Sequence, residues 1–343
     1  LPKEFTWLDY EPEHWKPEDV VKIRSHGLRR NLEKEVARAL TLQKHGKEAE
    51  QIRQRLEPEW TFDIPEGLDV NDISENVLEV YLLATQNVVF EPKEERMKRV
   101  QNHLKEQIQQ IKEDANLGSN NWVISAEKSK TGRPILANDP HRAMNMPSLR
   151  YMVHLSSPEL DVIGGGEPVL PGISLGHNGF AAFGFTIFGI DQEDLYVYEM
   201  NPDNPAQYRY KGQWEDVTII KEEIRVHGGK TEVKELEFTR HGPLIYRDDQ
   251  KRRAFAVRAA WLEAGMSPYL GSMFYMGAKD WKTFSEATNH WGAPAENLIY
   301  ADMNGNIGWS PGGLTPVREN WDGLLPVPGD GRYEWNGFMD QSQ

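Results

Sequence analysis

The chain of 343 residues is long enough for one large domain or two ordinary ones, and its 38% hydrophobic and 10% aromatic content can fill a sizeable core. A formal net charge of −14 argues against a nucleic-acid partner, which needs a basic surface, and a mean hydropathy of −0.66 without long apolar runs excludes a membrane-spanning helix. The absence of cysteine removes thiol nucleophiles, disulfides and thiolate metal sites together, and it leaves the compartment open.

Leu1-Pro2-Lys3-Glu4-Phe5 has neither the basic start nor the apolar stretch of a signal peptide and follows no initiator methionine, so the chain reads as truncated there. Pro17-Glu18-Asp19 opens a helical run through Leu42, with Pro17 suited to a first turn and apolar residues spaced three and four apart. A second helical stretch, Lys93 to Asp114, is dominated by Lys, Arg, Glu and Gln and reads as a solvated helix or linker. At Gly118 the texture changes to short β-rich runs such as Trp122-Val123-Ile124, Pro134-Ile135-Leu136 and Leu195-Tyr196-Val197-Tyr198. Lys211-Gly212, Gly228-Gly229 and Asn304-Gly305 mark hairpin turns, Gly164-Gly165-Gly166 reads as a flexible loop, and a helical pattern returns near Asp280 to His290. With no repeat of fixed period, the expected class is α+β.

Familiar catalytic motifs are missing: the ten histidines form no H-E-x-x-H, and there is no P-loop, no G-x-G-x-x-G after a strand and no G-x-S-x-G elbow. The 11 tryptophans and 53 acidic residues could furnish a carbohydrate-active site, but no ordered block of sequence supports one. What remains is the junction Leu117-Gly118-Ser119-Asn120-Asn121-Trp122, which alone would be an ordinary turn.

Its context changes that. Leu136-Ala137-Asn138-Asp139-Pro140-His141, Pro171 to Phe180, Asn297 to Asp302 with Gly305-Asn306-Ile307-Gly308-Trp309, and Leu325-Pro326-Val327-Pro328-Gly329 follow the junction in order. Together these blocks resemble the penicillin acylase family, most closely over residues 119 to 338. The resemblance implies a four-layer αββα fold of N-terminal-nucleophile hydrolases, self-cleavage between Gly118 and Ser119, and hydrolysis of a linear amide by the freed Ser119. That chemistry is coherent, because a serine hydroxyl needs an adjacent base and the α-amine of the same residue, with an ordinary pKa near 8, can supply it through a water. Gly118 suits a peptide that must tolerate strain during the cut.

The same resemblance places His141 beside the nucleophile, the side chain of Asn297 and the main-chain N–H of Ile187 at the oxyanion, and Arg318 as support for Asn297 and the serine terminus. Read without it, His141 is a turn histidine, Asn297 a strand cap and Arg318 a surface arginine. A structural calcium is implied at Asp191-Gln192-Glu193-Asp194, with Asp191, Glu193 and Asp194 as ligands and Glu35 as an addition from the helical segment; clustered oxygens suit such a hard cation, although a solvated acidic loop is the plain alternative.

The expected divisions are residues 1–90 as the end of a helical α-chain, 91–118 as a spacer removed on maturation, and 119–343 as the start of a β-chain, giving an α/β heterodimer from one precursor. Family members begin before Leu1 and continue past Phe338. Ser25-His26-Gly27-Leu28-Arg29-Arg30, where the acyl pocket is shaped, is more basic than an apolar lining, which argues against a benzylic penicillin and leaves a β-lactam, an acyl-homoserine lactone or another small-molecule N-acyl compound as substrate. A periplasmic or secreted location follows from the resemblance alone. The rival reading is a non-catalytic ligand-binding member that never cuts itself.

Overall fold

The computed structural model describes residues 3–9, 11–23, 31–54, 56, 58–85, 94–95, 98–99, 101–102, 118–141, 146, 148–168, 170–265 and 269–341. The basic segment 25–30 and most of the expected spacer therefore lie outside the described residues. None of the described helices is long and apolar enough to cross a membrane.

The helices that can be delimited among the described residues are α1 (Lys3–Leu8), α2 (Asp19–Ile23), α3 (Leu32–Arg53), α4 (Glu79–Thr85), α5 (Ser272–Tyr275) and α6 (Trp281–Thr288). The strands before the first long crossing are β1 (Gly118–Ile124), β2 (Ile135–His141), β3 (Tyr151–Ser156), β4 (Asp161–Gly166), β5 (Leu175–His177), β6 (Ala181–Ile187) and β7 (Glu193–Glu199). They are followed by β8 (Gln207–Tyr210), β9 (Gln213–Asp216), β10 (Thr218–Ile224), β11 (Glu232–Thr239), β12 (Gly242–Asp248) and β13 (Arg253–Ala259). The last are β14 (Glu296–Asp302), β15 (Ile307–Gly312), β16 (Pro316–Arg318), β17 (Val327–Pro328) and β18 (Trp335–Phe338).

Two six-stranded sheets carry the fold, one in the order β10-β11-β12-β13-β7-β17 and the other β15-β14-β6-β5-β4-β3. On α3, Leu32, Val36, Ala39 and Leu40 recur at helical spacing on one face, which buries them with α4 against Leu195, Ile245, Phe255 and Val257 of the first sheet. The alternate residues Tyr196, Tyr198, Ala254 and Ala256 point to the opposite face, as a period of two requires. Helices α5 and α6 cover the second sheet through Tyr275 and Phe284, packed on Phe183, Phe185, Leu298 and Tyr300. The result is the expected αββα four-layer arrangement, in the α+β class.

Local signals explain most boundaries. Asp280 starts α6 with a capping box, its carboxylate accepting from the Thr283 N–H at 2.8 Å. Lys211 and Gly212, at φ 45° and 77°, form the two-residue turn between β8 and β9. The run Gly164-Gly165-Gly166 corrects the loop expected there: it is strand β4, since a Cβ at Gly164 would lie 2.1 Å from the Leu175 carbonyl oxygen and only glycine lets β5 approach so closely.

Candidate active site

Ser119 sits in β1, paired antiparallel with β2 so that Gly118 faces His141 and Asn121 faces Asn138. The Gly118–Ser119 bond thus lies in a strand rather than the turn that Gly-Ser-Asn suggests in isolation. Strand β6 explains why this hairpin docks where it does. Phe188 N–H donates to the Ala295 carbonyl at 3.1 Å, so even-numbered residues of β6 turn their main-chain groups toward β14 and odd-numbered ones away from it. On that other side β5 pairs only with Ala182 and Phe183, which leaves Phe185 and Ile187 without a strand partner.

The hairpin supplies the missing partners. Asn138 donates through Nδ2 to the Phe185 carbonyl at 3.0 Å and accepts from the Phe185 N–H at 2.6 Å, acting as a strand residue would. Gly184 is required for this, because a Cβ there would lie 2.1 Å from Asn138 Oδ1. Two residues on, the Ile187 N–H donates to Ser119 Oγ at 3.4 Å. A main-chain donor is thereby left facing the serine hydroxyl instead of being consumed in a ladder.

Asn297 lies opposite Thr186 on β14, next to the pair Glu296–Ile187. Its Nδ2 donates to the Ile187 carbonyl at 3.2 Å and to Thr186 Oγ1 at 3.3 Å, while its Oδ1 accepts from Trp309 Nε1 at 2.9 Å. An indole N–H can only donate, so Trp309 fixes the amide orientation and aims the NH₂ group at the Ile187 side. Asn121 Nδ2 reaches the Asn297 carbonyl at 3.3 Å, tying the serine strand to β14. Ser119, Ile187 and Asn297 therefore share one neighbourhood, although residues 119, 187 and 297 are far apart in sequence.

His141 ends β2, half exposed, with Nε2 2.9 Å from Asp139 Oδ2 and Nδ1 near Gly118. It is a strand residue beside the Gly118–Ser119 junction rather than part of a turn. The described contacts of Arg318 run to two aspartates: its Nε donates to Asp194 Oδ2 at 2.8 Å and an Nη to Asp191 Oδ1 at 3.0 Å, with its side chain 8% exposed. Opposite charges within a buried hollow draw it there, so it is neither a surface arginine nor, in its described contacts, a support for Asn297.

Glu35, Asp191 and Asp194 converge, offering carboxylate oxygens within 4.8 Å of one another. Burial and then the charges of Asp194 and Asp191 hold the Glu35 carboxyl well above its ordinary range. Burial pushes Asp191 up to about 8 against the pull of Arg318, and raises Asp194 as well. Glu35 Oε1 and Asp194 Oδ1 are buried with no hydrogen-bond partner, which is the signature of a group waiting for a cation or a proton. Glu193 departs from the ligand set expected of it. Its carboxylate accepts from the N–H groups of Asn31 and Leu32, from Tyr81 Oη and from Trp261 Nε1, so it caps the N-terminus of α3 where Asn31 makes no side-chain cap of its own. Its carbonyl is bonded to Asn31 Nδ2 at 3.0 Å.

Sequence reasoning gave no role to Asn138, Asn121, Thr186 and Trp309, although three of them lie in the blocks already singled out. The signal for Asn138 is its place in the block that ends at His141; its use as a strand surrogate depends on β5 ending early.

The whole chain, residues 1–343, matches the penicillin amidase family. The acyl-homoserine lactone acylase QuiP of Pseudomonas aeruginosa is 28% identical over 99% of this chain and 40% of its own length. The penicillin acylase 2 proenzyme of Pseudomonas sp. (strain SE83) is 34% identical over 65% of this chain and 29% of its own, and penicillin G acylase of Escherichia coli 31% identical over 64% and 26%. Among solved structures, a thermostable penicillin G acylase from Alcaligenes faecalis superposes with a TM-score of 0.60 at 27% identity, over 64% of this chain and 40% of that one. The chain thus spans at most 40% of the length of these relatives. Its fold and its ordered blocks agree with the match along its full length, and the chain belongs to the penicillin amidase family.

Proposed function

We propose that the full-length protein is an amidohydrolase that cuts itself at Gly118–Ser119 and then hydrolyses a linear amide with Ser119. The observation that carries this reading is the Ile187 N–H directed at Ser119 Oγ at 3.4 Å, with the Asn297 amide held beside it. While the chain is uncut, the Ser119 nitrogen is an amide and cannot act as a base. Attack of Oγ on the Gly118 carbonyl and hydrolysis of the resulting ester would release it as an α-amine, with an ordinary pKa near 8. In turnover the amine takes the hydroxyl proton as Oγ attacks the substrate carbonyl, and the oxyanion is met by the Ile187 N–H and Asn297 Nδ2. The proton passes to the leaving amine, and water then releases the acid from the acyl-serine. For this Asn297 Nδ2 exchanges its long bond to Thr186 Oγ1 for the oxyanion, a tightening expected only once substrate binds.

Glu35, Asp191 and Asp194 fit a calcium ion, because their carboxylates converge and the orphaned oxygens of Glu35 and Asp194 supply hard donors such an ion takes. Glu35 precedes the proposed cut and both aspartates follow it, so the ion would join the two pieces of an α/β heterodimer. The names of the relatives favour small N-acyl compounds, β-lactams or acyl-homoserine lactones, and an extracytoplasmic location belongs to the same reading. Incubating the full-length protein with phenylacetyl, hexanoyl and dodecanoyl amides and following amine release tests it. Release that disappears in Ser119→Ala is expected; release from no substrate, with the chain still uncut, would favour a non-catalytic binding member.

A further inference from the structure

The cation cluster contains a fourth member. Each of its carboxylates commits one oxygen to a protein donor: Glu35 Oε2 to the Leu195 N–H at 3.1 Å, Asp194 Oδ2 to Arg318 Nε and Trp335 Nε1, and Asp191 Oδ1 to Asn31 Nδ2 at 2.7 Å and to Arg318. Glu35 Oε1 and Asp194 Oδ1 stay unpartnered, on side chains that are at most 1% exposed.

Arg318 is built into this wall. Its Cζ lies 5.8 Å from the Trp321 ring and 5.7 Å from the Trp335 ring. Gly323, at φ 73°, packs so closely that a Cβ there would be 2.7 Å from Asp191 Oδ2 and 2.8 Å from Arg318 Cζ. The guanidinium thus has one seat, fixed by aromatic rings and a glycine backbone, and it leaves the orphaned oxygens untouched. The other nearby arginine, Arg38, is committed to Glu50 at 3.3 Å and to the Leu324 carbonyl.

We propose that Arg318 is a permanent cationic member of this site and sets its charge, shifting the preference of the site from a trivalent ion toward a divalent one. The inference rests on the cation reading above and goes beyond it. Ionised, Glu35, Asp191 and Asp194 carry three negative charges and Arg318 one positive, a balance that a divalent ion closes and a trivalent ion overshoots. Without the guanidinium, the same oxygens would balance a trivalent ion. At roughly 5 Å and an effective dielectric constant of about 20, removing one positive charge shifts the trivalent-to-divalent preference by on the order of 100-fold.

The test is competition between Ca²⁺ and Tb³⁺ on the full-length protein, read by Tb³⁺ luminescence sensitised by Trp335 and by the ion-dependent rise in Tm, neither of which needs turnover. In the native protein Ca²⁺ is expected to compete measurably with Tb³⁺. In Arg318→Met the preference should move toward Tb³⁺ by about two orders of magnitude, and Arg318→Lys should stay close to the native ratio. If Arg318→Met folds only with an ion, refolding should reach its midpoint at a far lower concentration of Tb³⁺ than of Ca²⁺. An unchanged ratio, or refolding midpoints at equal concentrations of the two ions, would overturn the charge-setting role. Ion binding by Arg318→Met but not by the native protein would overturn it too, since the guanidinium would then be filling the ion's own place. If neither protein binds either ion, the cation reading itself fails.

Discussion

Replacing Asn138 with alanine tests whether a side chain really completes the sheet beside the nucleophile. The variant removes bonds of 2.6 and 3.0 Å to Phe185 and leaves that residue's N–H and C=O unpaired in a half-buried seam. An unsatisfied main-chain group costs on the order of 1–3 kcal/mol, so the pair predicts a loss of about 2–4 kcal/mol, less whatever water recovers. Urea unfolding of a form that cannot cut itself, Ser119→Ala with and without Asn138→Ala, isolates this number from maturation. Asn138→Asp should fall between, because it keeps the acceptor for the Phe185 N–H but sets a carboxylate against the Phe185 carbonyl. The hairpin β1–β2 should also loosen, so in the Ser119-containing background cleavage should slow. A stability loss below about 0.5 kcal/mol, with cleavage unaffected, would refute the strand-surrogate role.

Other expectations follow from the same geometry. Asn297→Ala should lower kcat by on the order of 10²–10³-fold while leaving the fold intact by circular dichroism, and near-native turnover would remove it from the oxyanion site. Trp309→Phe keeps the ring but frees the Asn297 amide to turn, so kcat should fall with little change in KM; a change confined to KM would argue for substrate contact instead. Gly184→Ala should destabilise by a few kcal/mol through its clash with Asn138, and combining it with Asn138→Ala should cost less than the sum, as unfolding of the single and double variants will show. Burial holds the His241 imidazole below its ordinary 6.5, where it accepts from Tyr198 Oη and its Nε2–H donates to Glu334 at 2.9 Å. The unfolded chain then takes up the proton first, so the His241 contribution to stability should be intact above pH 6.5 and be lost as pH drops below it. A His241→Phe variant whose urea midpoint fell just as steeply between about pH 7 and pH 5 would contradict that assignment.

How much of this was legible in the sequence differs from residue to residue for physical reasons. The Lys211-Gly212 and Asn304-Gly305 turns and the Asp280 cap were readable because their signals are local, a positive φ or a side chain bonding its own backbone. The triple glycine of β4 was misread because its flexibility is used for close approach by β5, a partner that lies outside any local window. Glu193 looked like a ligand by its place between two aspartates, yet strand alternation turns its carboxylate to the opposite face, onto the start of α3. Arg318 carried no local mark at all; only the fold shows that its charge is spent on Asp191 and Asp194. Ser119, Ile187 and Asn297 were reachable only through ordered blocks, since nothing in composition or periodicity links a β1 hydroxyl to a β6 amide.

The central claim is that Ser119 becomes a chain terminus, and N-terminal sequencing with intact-mass measurement of the full-length protein addresses it directly. The account predicts a new terminus reading Ser-Asn-Asn-Trp in the native protein and a single uncut chain in Ser119→Ala. A native protein that stays uncut at this bond, or a Ser119→Ala protein cut there all the same, would contradict it.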